Sequence, residues 1–170
     1  NKRINDGIKE QMDTLGQLAS QFLTKEKILL SYKIAKSVED RFKVKGRVHF
    51  NVGGSQAIED SLKIVRNYTK KNLNFAFMGG YHGRTIGATN ITSSYRYRER
   101  YGHFSDRAFF IPFPYCFRCP YGKDKETCDL YCAKEFEKLF ESEYYTVCNP
   151  KTKNCEFGAF YVEPIQGTGG

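Results

Sequence analysis

Three glycine-bearing stretches and one cysteine-rich stretch hold the residues whose types and spacing could do chemistry. The first is Phe50-Asn51-Val52-Gly53-Gly54-Ser55-Gln56-Ala57, a turn through glycines into a helical pattern. Free N–H groups and the dipole at a helix start favour an anion, so Gly54 and Ser55 could cradle a phosphate. Ser55 could equally be an ordinary N-cap worth about 1 kcal/mol. The absence of Lys-Ser or Lys-Thr after the glycines excludes a P-loop. The second stretch is Gly80-Tyr81-His82-Gly83-Arg84-Thr85, where an aromatic ring beside a histidine could stack on a flat ligand or simply form a tight turn. The third is Tyr161-Val162-Glu163-Pro164-Ile165-Gln166-Gly167-Thr168-Gly169-Gly170. A carboxylate at the end of a buried strand is costly without a partner. Glu163 is therefore expected to meet a group at a site or to cap nearby backbone.

The fourth stretch reads Cys116-x2-Cys119-x8-Cys128-x3-Cys132. Both pairs have zinc-ligand spacing, although the gap between them is shorter than in a zinc ribbon. Zinc at Cys116, Cys119, Cys128 and Cys132 and four free thiols are the two readings. Cys148 and Cys155 flank a polar loop and could pair in an oxidising compartment. No signal-peptide pattern is seen, so reduced thiols in a cytoplasmic protein are expected instead.

The elements that must position these residues follow from hydrophobic periodicity. Ile8, Met12, Leu15, Leu18 and Phe22 fall on one helical face over residues 5–23. Thr24 can cap a second helix carrying Ile28, Tyr32, Ala35 and Val38. Residues 44–51 alternate like a strand. After Ser55 a helix should turn Ile58, Leu62 and Val65 inward, with Glu59, Lys63 and Arg66 outward. Short strands are expected at 75–78, 108–111 and 158–163, with helices from Thr85 and over 133–142. This alternation predicts an α/β fold with a mainly parallel sheet flanked by helices. Ligands then sit at the carboxyl ends of the strands, where all three glycine stretches should lie. Residues 1–43 are read as leading helices, and 44–170 as an α/β core with a cysteine-rich insertion at 114–132.

Composition is that of a globular domain: 170 residues, 40% hydrophobic and 27% charged, with a net charge of +8. No apolar run is long enough to span a bilayer, so no membrane partner is expected. The densest cations, Arg96, Arg98, Arg100 and Arg107, read as a solvated surface. A small basic zinc module binding nucleic acid would need cations gathered at the cysteine loop, where Asp124, Glu126 and Asp129 offset Arg118, Lys123 and Lys125. No nucleic-acid partner is expected.

Together, in order and at these separations, the three glycine stretches resemble the class III aminotransferases, fold-type I enzymes that use pyridoxal 5'-phosphate. The motifs are Gly54-Ser55-Gln56-Ala57 running to Lys63 and Arg66, then Tyr81 to Thr85, then Glu163-Pro164-Ile165-Gln166-Gly167 to Gly170. The resemblance covers nearly the whole chain and identifies it as part of the large cofactor-binding domain. It implies that Gly54 and Ser55 bond the cofactor phosphate and that Tyr81 stacks on the pyridine ring. His82 would shape that pocket, and Glu163 would sit beside the cofactor in the substrate pocket. It also implies a homodimer and transfer of an amino group between an amine or amino acid and a 2-oxo acid. An amino-acid racemase or epimerase of the same fold is the alternative, since Tyr115-Cys116-Phe117-Arg118-Cys119-Pro120 resembles a loop of such a subgroup. Gln56 stands where the family has Glu, and Thr168 where many members carry a switching Glu. The family's Schiff-base lysine and the aspartate that pairs with the pyridine nitrogen would lie beyond Gly170. The chain as given is therefore expected to be inactive, with no catalytic residue of its own.

Overall fold

A computed structural model describes residues 1–19, 21–101, 108–145 and 147–169. The chain forms two compact units, Asn1–Phe50 and Asn51–Gly170.

In the first unit, helix α1 spans Lys2–Thr14, with Asn1 Oδ1 accepting from Arg3 N at 3.1 Å. The expected face over 5–23 is cut short. The helix ends before Gly16, a poor helix former. The Gln11 side-chain amide donates to the Leu15 carbonyl at 2.9 Å, satisfying one of the acceptors left over at a helix end. Leu18 and Phe22 thus fall outside it. Helix α2 spans Lys25–Phe42 and is capped by Thr24, whose hydroxyl accepts from Lys27 N at 3.2 Å. Lys43 closes it in a left-handed conformation, with Nζ donating to the Asp40 carbonyl at 2.8 Å. The strand expected at 44–51 does not form. Alternation supplies one face of a strand but not the hydrogen-bonding partner that a strand needs.

The second unit is built on a three-stranded parallel sheet in the order β2–β1–β3: β1 is Leu73–Phe77, β2 Ala108–Ile111 and β3 Phe157–Tyr161. The parallel α/β architecture expected from the alternation is therefore present. Helices cover both faces. Helix α3, Gly54–Thr69, lies against β3. There Val65 approaches Gly158 so closely that a Cβ on the glycine would sit 3.2 Å from Val65 Cγ1. Ser61 Oγ donates to Tyr161 Oη at 3.3 Å beside it. Ile58 and Val65 are half-buried and Leu62 fully buried, as the pattern predicted. On the other face lies helix α5, Tyr131–Lys138. Phe136 and Phe140 place their rings 5.0 and 5.9 Å from that of Phe75, which also meets Phe109, Phe157 and Phe160. Burying each such side chain contributes about 1.5–3 kcal/mol.

Val147 and Cys148 complete this core. Cys148 is disulfide-bonded to Cys155, which corrects the expectation of reduced thiols at this pair. The bond closes a local antiparallel turn in which Asn149 N donates to Asn154 O and Glu156 N to Val147 O, both at 2.8 Å. The flanking polar loop doubles back on itself, and that is what brings the two sulfurs together.

Candidate functional site

The site gathers at the carboxyl ends of β1 and β3 and at the start of α3. Gly53 caps α3 in an extended conformation with no side-chain bond to the first turn, and nothing stands within 4 Å of where a Cβ on Gly54 would point. The helix start is thus open for an anion. It lacks the strand expected before it, so two of the three glycine stretches, not all three, follow strands. It reaches the site by packing. Ser55 Oγ accepts from Arg84 N at 3.3 Å, which leaves its own hydroxyl proton to donate. Gly83, with φ +138°, admits this contact, since a Cβ there would lie 2.3 Å from Ser55 Oγ.

The loop after β1 is held from three sides. Tyr81 N donates to Glu163 Oε1 at 2.6 Å, and Gly167 N donates to Glu163 Oε2 at 3.2 Å. Glu163 therefore meets backbone N–H groups and ties the two strand ends together. Gln166 Nε2 donates to the Met78 carbonyl at 2.9 Å. His82 N donates to Thr92 Oγ1 at 3.0 Å, and that hydroxyl reaches the Ala88 carbonyl at 2.8 Å. Burial pushes the His82 imidazole below its usual range, while the Glu163 carboxylate pulls the other way. The Tyr81 ring packs 4.9 Å from that of Tyr97. The structure thus brings Ser55 to the loop beside Tyr81 and His82, and ties that loop to Glu163.

Two residues depart from their predicted roles. Glu59 does not face outward. Its Oε1 accepts from Gly87 N at 2.8 Å and Ala88 N at 3.2 Å, capping the short helix α4, Ile86–Asn90. Arg98 is not part of a solvated surface. Its guanidinium donates to the carbonyls of Thr89, Asn90 and Thr92 at 2.8, 2.9 and 3.1 Å, and burial lowers its pKa. A cation at a helix C-terminus is favoured there. Arg96, from the same cluster, lines both a cavity of about 490 Å³ with Arg84, Thr89 and Tyr97 and one of about 590 Å³ with Gly79, Ser93 and Thr168. Arg107 lies outside the described residues. Spacing of charge along the chain could not show these roles, because the acceptors are backbone atoms of another segment.

Cys116, Cys119, Cys128 and Cys132 are free and line one small cavity of about 20 Å³. Among the described residues, no group of three or more His, Cys, Asp or Glu side chains is placed to hold a metal ion.

A parallel α/β unit with an open helix start, a glycine loop and a carboxylate meeting at its strand ends has the place where open sheets of this kind bind ligands. The chain belongs to the class III aminotransferase family: residues 1–170 match the family described as Aminotransferase class-III. It is similar to a leucine/methionine racemase of Thermococcus litoralis, 32% identical over 100% of this chain and 36% of the relative. It is also similar to a protein of Bacillus subtilis named Probable 4-aminobutyrate aminotransferase, 33% identical over 69% of this chain and 25% of the relative. The fold matches that of an amine transaminase from an uncultivated Pseudomonas species with a TM-score of 0.82 and 22% identity, covering 100% of this chain and 38% of that one. The chain thus spans well under half the length of these proteins. Among the described residues, no helix is long and apolar enough to cross a membrane.

Proposed function

We propose that the chain is part of the large domain of a homodimeric pyridoxal-phosphate aminotransferase, which moves an amino group between an amine or amino acid and a 2-oxo acid. The observation that carries this reading is the meeting of the open α3 start with the Tyr81–Gly83 loop and Glu163. The residues present fit the cofactor. Gly54 leaves room for a phosphate at the helix start, and Ser55 keeps a proton to donate because its oxygen already accepts from Arg84 N. Tyr81 and His82 offer ring faces, and the depressed pKa of His82 favours a neutral imidazole beside Glu163. Bound there, pyridoxal phosphate would supply the electron sink for a proton leaving the substrate carbon. Arg84 and Arg96 offer guanidinium groups to a substrate carboxylate from the cavity walls.

Exposed apolar side chains around the site, Val52 at 95% and Ile86 at 72%, support a second copy of the chain as partner.

An amino-acid racemase on the same fold is the second reading, favoured by the Thermococcus litoralis relative that matches the whole chain. The test is the visible absorption of the full-length protein with pyridoxal phosphate, before and after a panel of amino donors. Bleaching to the amine form of the cofactor, with release of a 2-oxo acid, supports an aminotransferase and names its donor. An unbleached band with inversion of the donor's α-carbon on chiral chromatography replaces it with a racemase. Failure to take up cofactor overturns both.

A further inference from the structure

The segment between β2 and α5 is an excursion that the proposed active site does not use. Its large apolar side chains do not form a core: Phe117 is 83% exposed and Leu130 is 70% exposed. What lines the small cavity there is sulfur, from half-buried Cys119, Cys128 and Cys132 and from exposed Cys116. Cys116 in a short helical turn, Cys119 and Cys128 in the loop, and Cys132 in the first turn of α5 all line the same cavity. Its volume of about 20 Å³ is on the scale of a single water or ion. None of these thiols is disulfide-bonded, whereas Cys148 and Cys155 in the same unit are.

We propose that this cavity is a structural zinc site with four thiolate ligands, Cys116, Cys119, Cys128 and Cys132. The chemistry of the donor set selects the metal. Four soft sulfur donors in two closely spaced pairs suit tetrahedral zinc, which leaves no open coordination position and undergoes no redox change. Binding Zn²⁺ releases the four thiol protons and leaves a site of charge −2. Lys123 and Lys125 line the same cavity and offset that charge. Lys123 is also held over the Tyr131 ring, its Nζ 4.8 Å from the centroid. No three of the thiols stand in metal-holding geometry, so binding the ion requires their side chains to close around the cavity that they line.

The position of the site gives the metal a structural task. Between Cys128 and Cys132 the chain passes through Asp129 and Leu130, both non-glycine residues with left-handed backbone, φ 46° and 54°. That corner sets the direction of α5, whose Phe136 packs on Phe75, as does Phe140 just beyond the end of the helix. Zinc bridging Cys132 to the far end of the loop would fix the start of the helix that closes this face of the core.

The test uses the full-length protein purified under reducing conditions. Elemental analysis should find about one zinc per chain after gel filtration in a chelator. Cys116→Ser/Cys119→Ser and Cys128→Ser/Cys132→Ser should each lose it. Because either variant could fail to fold, the unaltered protein provides an independent measurement. A mercurial reagent should release zinc to a colorimetric dye as the thiols react, and cobalt substitution should give the strong charge-transfer and d–d bands of a tetrahedral thiolate site. Wild-type protein without zinc, whose four thiols react freely and which binds no cobalt, overturns the proposal. So do a disulfide among these four cysteines in the purified protein and retention of zinc by both double variants.

Discussion

The backbone N–H of Tyr81 donates to Glu163 Oε1 at 2.6 Å, joining the loop after β1 to the end of β3. The same carboxylate accepts from Gly167 N through its other oxygen, so one side chain holds two loops of the site in register. Replacing Glu163 by Ala leaves the Tyr81 N–H without its acceptor and is expected to cost about 1–3 kcal/mol. Glu163→Gln keeps the shape and one acceptor oxygen but turns an NH2 donor toward the other backbone N–H, so it retains one of the two bonds and should cost less than the alanine. Urea unfolding of the three proteins checks the order. Equal stability of all three would mean that the two N–H groups find other acceptors.

Gly83 is required by contact with Ser55. Alanine there would place Cβ 2.3 Å from Ser55 Oγ and 2.9 Å from Ala88 Cβ, at a φ of +138°. Gly83→Ala should therefore lower stability and push Ser55 from the helix start. Gly54→Ala is the informative comparison, because nothing lies within 4 Å of its Cβ. It should keep or raise stability by up to about 1 kcal/mol through better helix propensity. It should nevertheless weaken pyridoxal-phosphate affinity roughly tenfold, about 1.4 kcal/mol, by filling the space for the phosphate. Calorimetric Tm and a fluorescence titration with the cofactor separate the two effects. Undiminished affinity in Gly54→Ala would remove this glycine from the phosphate site.

What the sequence made legible follows from which interactions are local. The core strands and the face of α3 carrying Leu62 repeat with a period that survives without knowledge of the partner. Thr24 as a cap was readable because its acceptor role reaches only three residues, to Lys27 N. Glu59 was misread because its partners, Gly87 and Ala88, lie on another element, and its helical position alone suggests solvent. Residues 44–51 failed for the converse reason, since alternation cannot supply a neighbouring strand. The motifs around Ser55, Tyr81 and Glu163 marked the candidate site by resemblance. Their geometric link, a carboxylate on a backbone N–H, is invisible until the strands are placed side by side.

Glu59 and Gly87 should show energetic coupling. Glu59→Ala removes the acceptor for two N–H groups at the start of α4 and is expected to cost about 1–2 kcal/mol. Gly87→Ala brings a Cβ within 2.4 Å of Glu59 Oε2, so the carboxylate must swing away. Once Glu59 is Ala, that clash is gone, and the second substitution should cost less than it does alone. Denaturant unfolding of the two single variants and the double variant closes the cycle. Simple additivity would show that the carboxylate does not hold α4 in solution.

His82 gives the site a pH dependence whose sign is fixed by its cause. Burial lowers its pKa below the unfolded value of about 6.5, the Glu163 carboxylate opposing without reversing the shift. Tyr161, whose ring lies 6.1 Å from that of His82, is itself pushed up by burial and so stays neutral here. Between the lowered folded pKa and about 6.5 the unfolded chain binds more protons than the folded one. Stability therefore rises with pH through that window. The contribution is fully present above the unfolded pKa and is lost as pH falls toward the folded pKa. His82→Gln removes the titrating group, so the difference in urea midpoint between wild type and variant should narrow or reverse as the pH is lowered from about 7 to about 5. A difference that grows in favour of wild type at low pH would mean that the Glu163 carboxylate, not burial, dominates at His82.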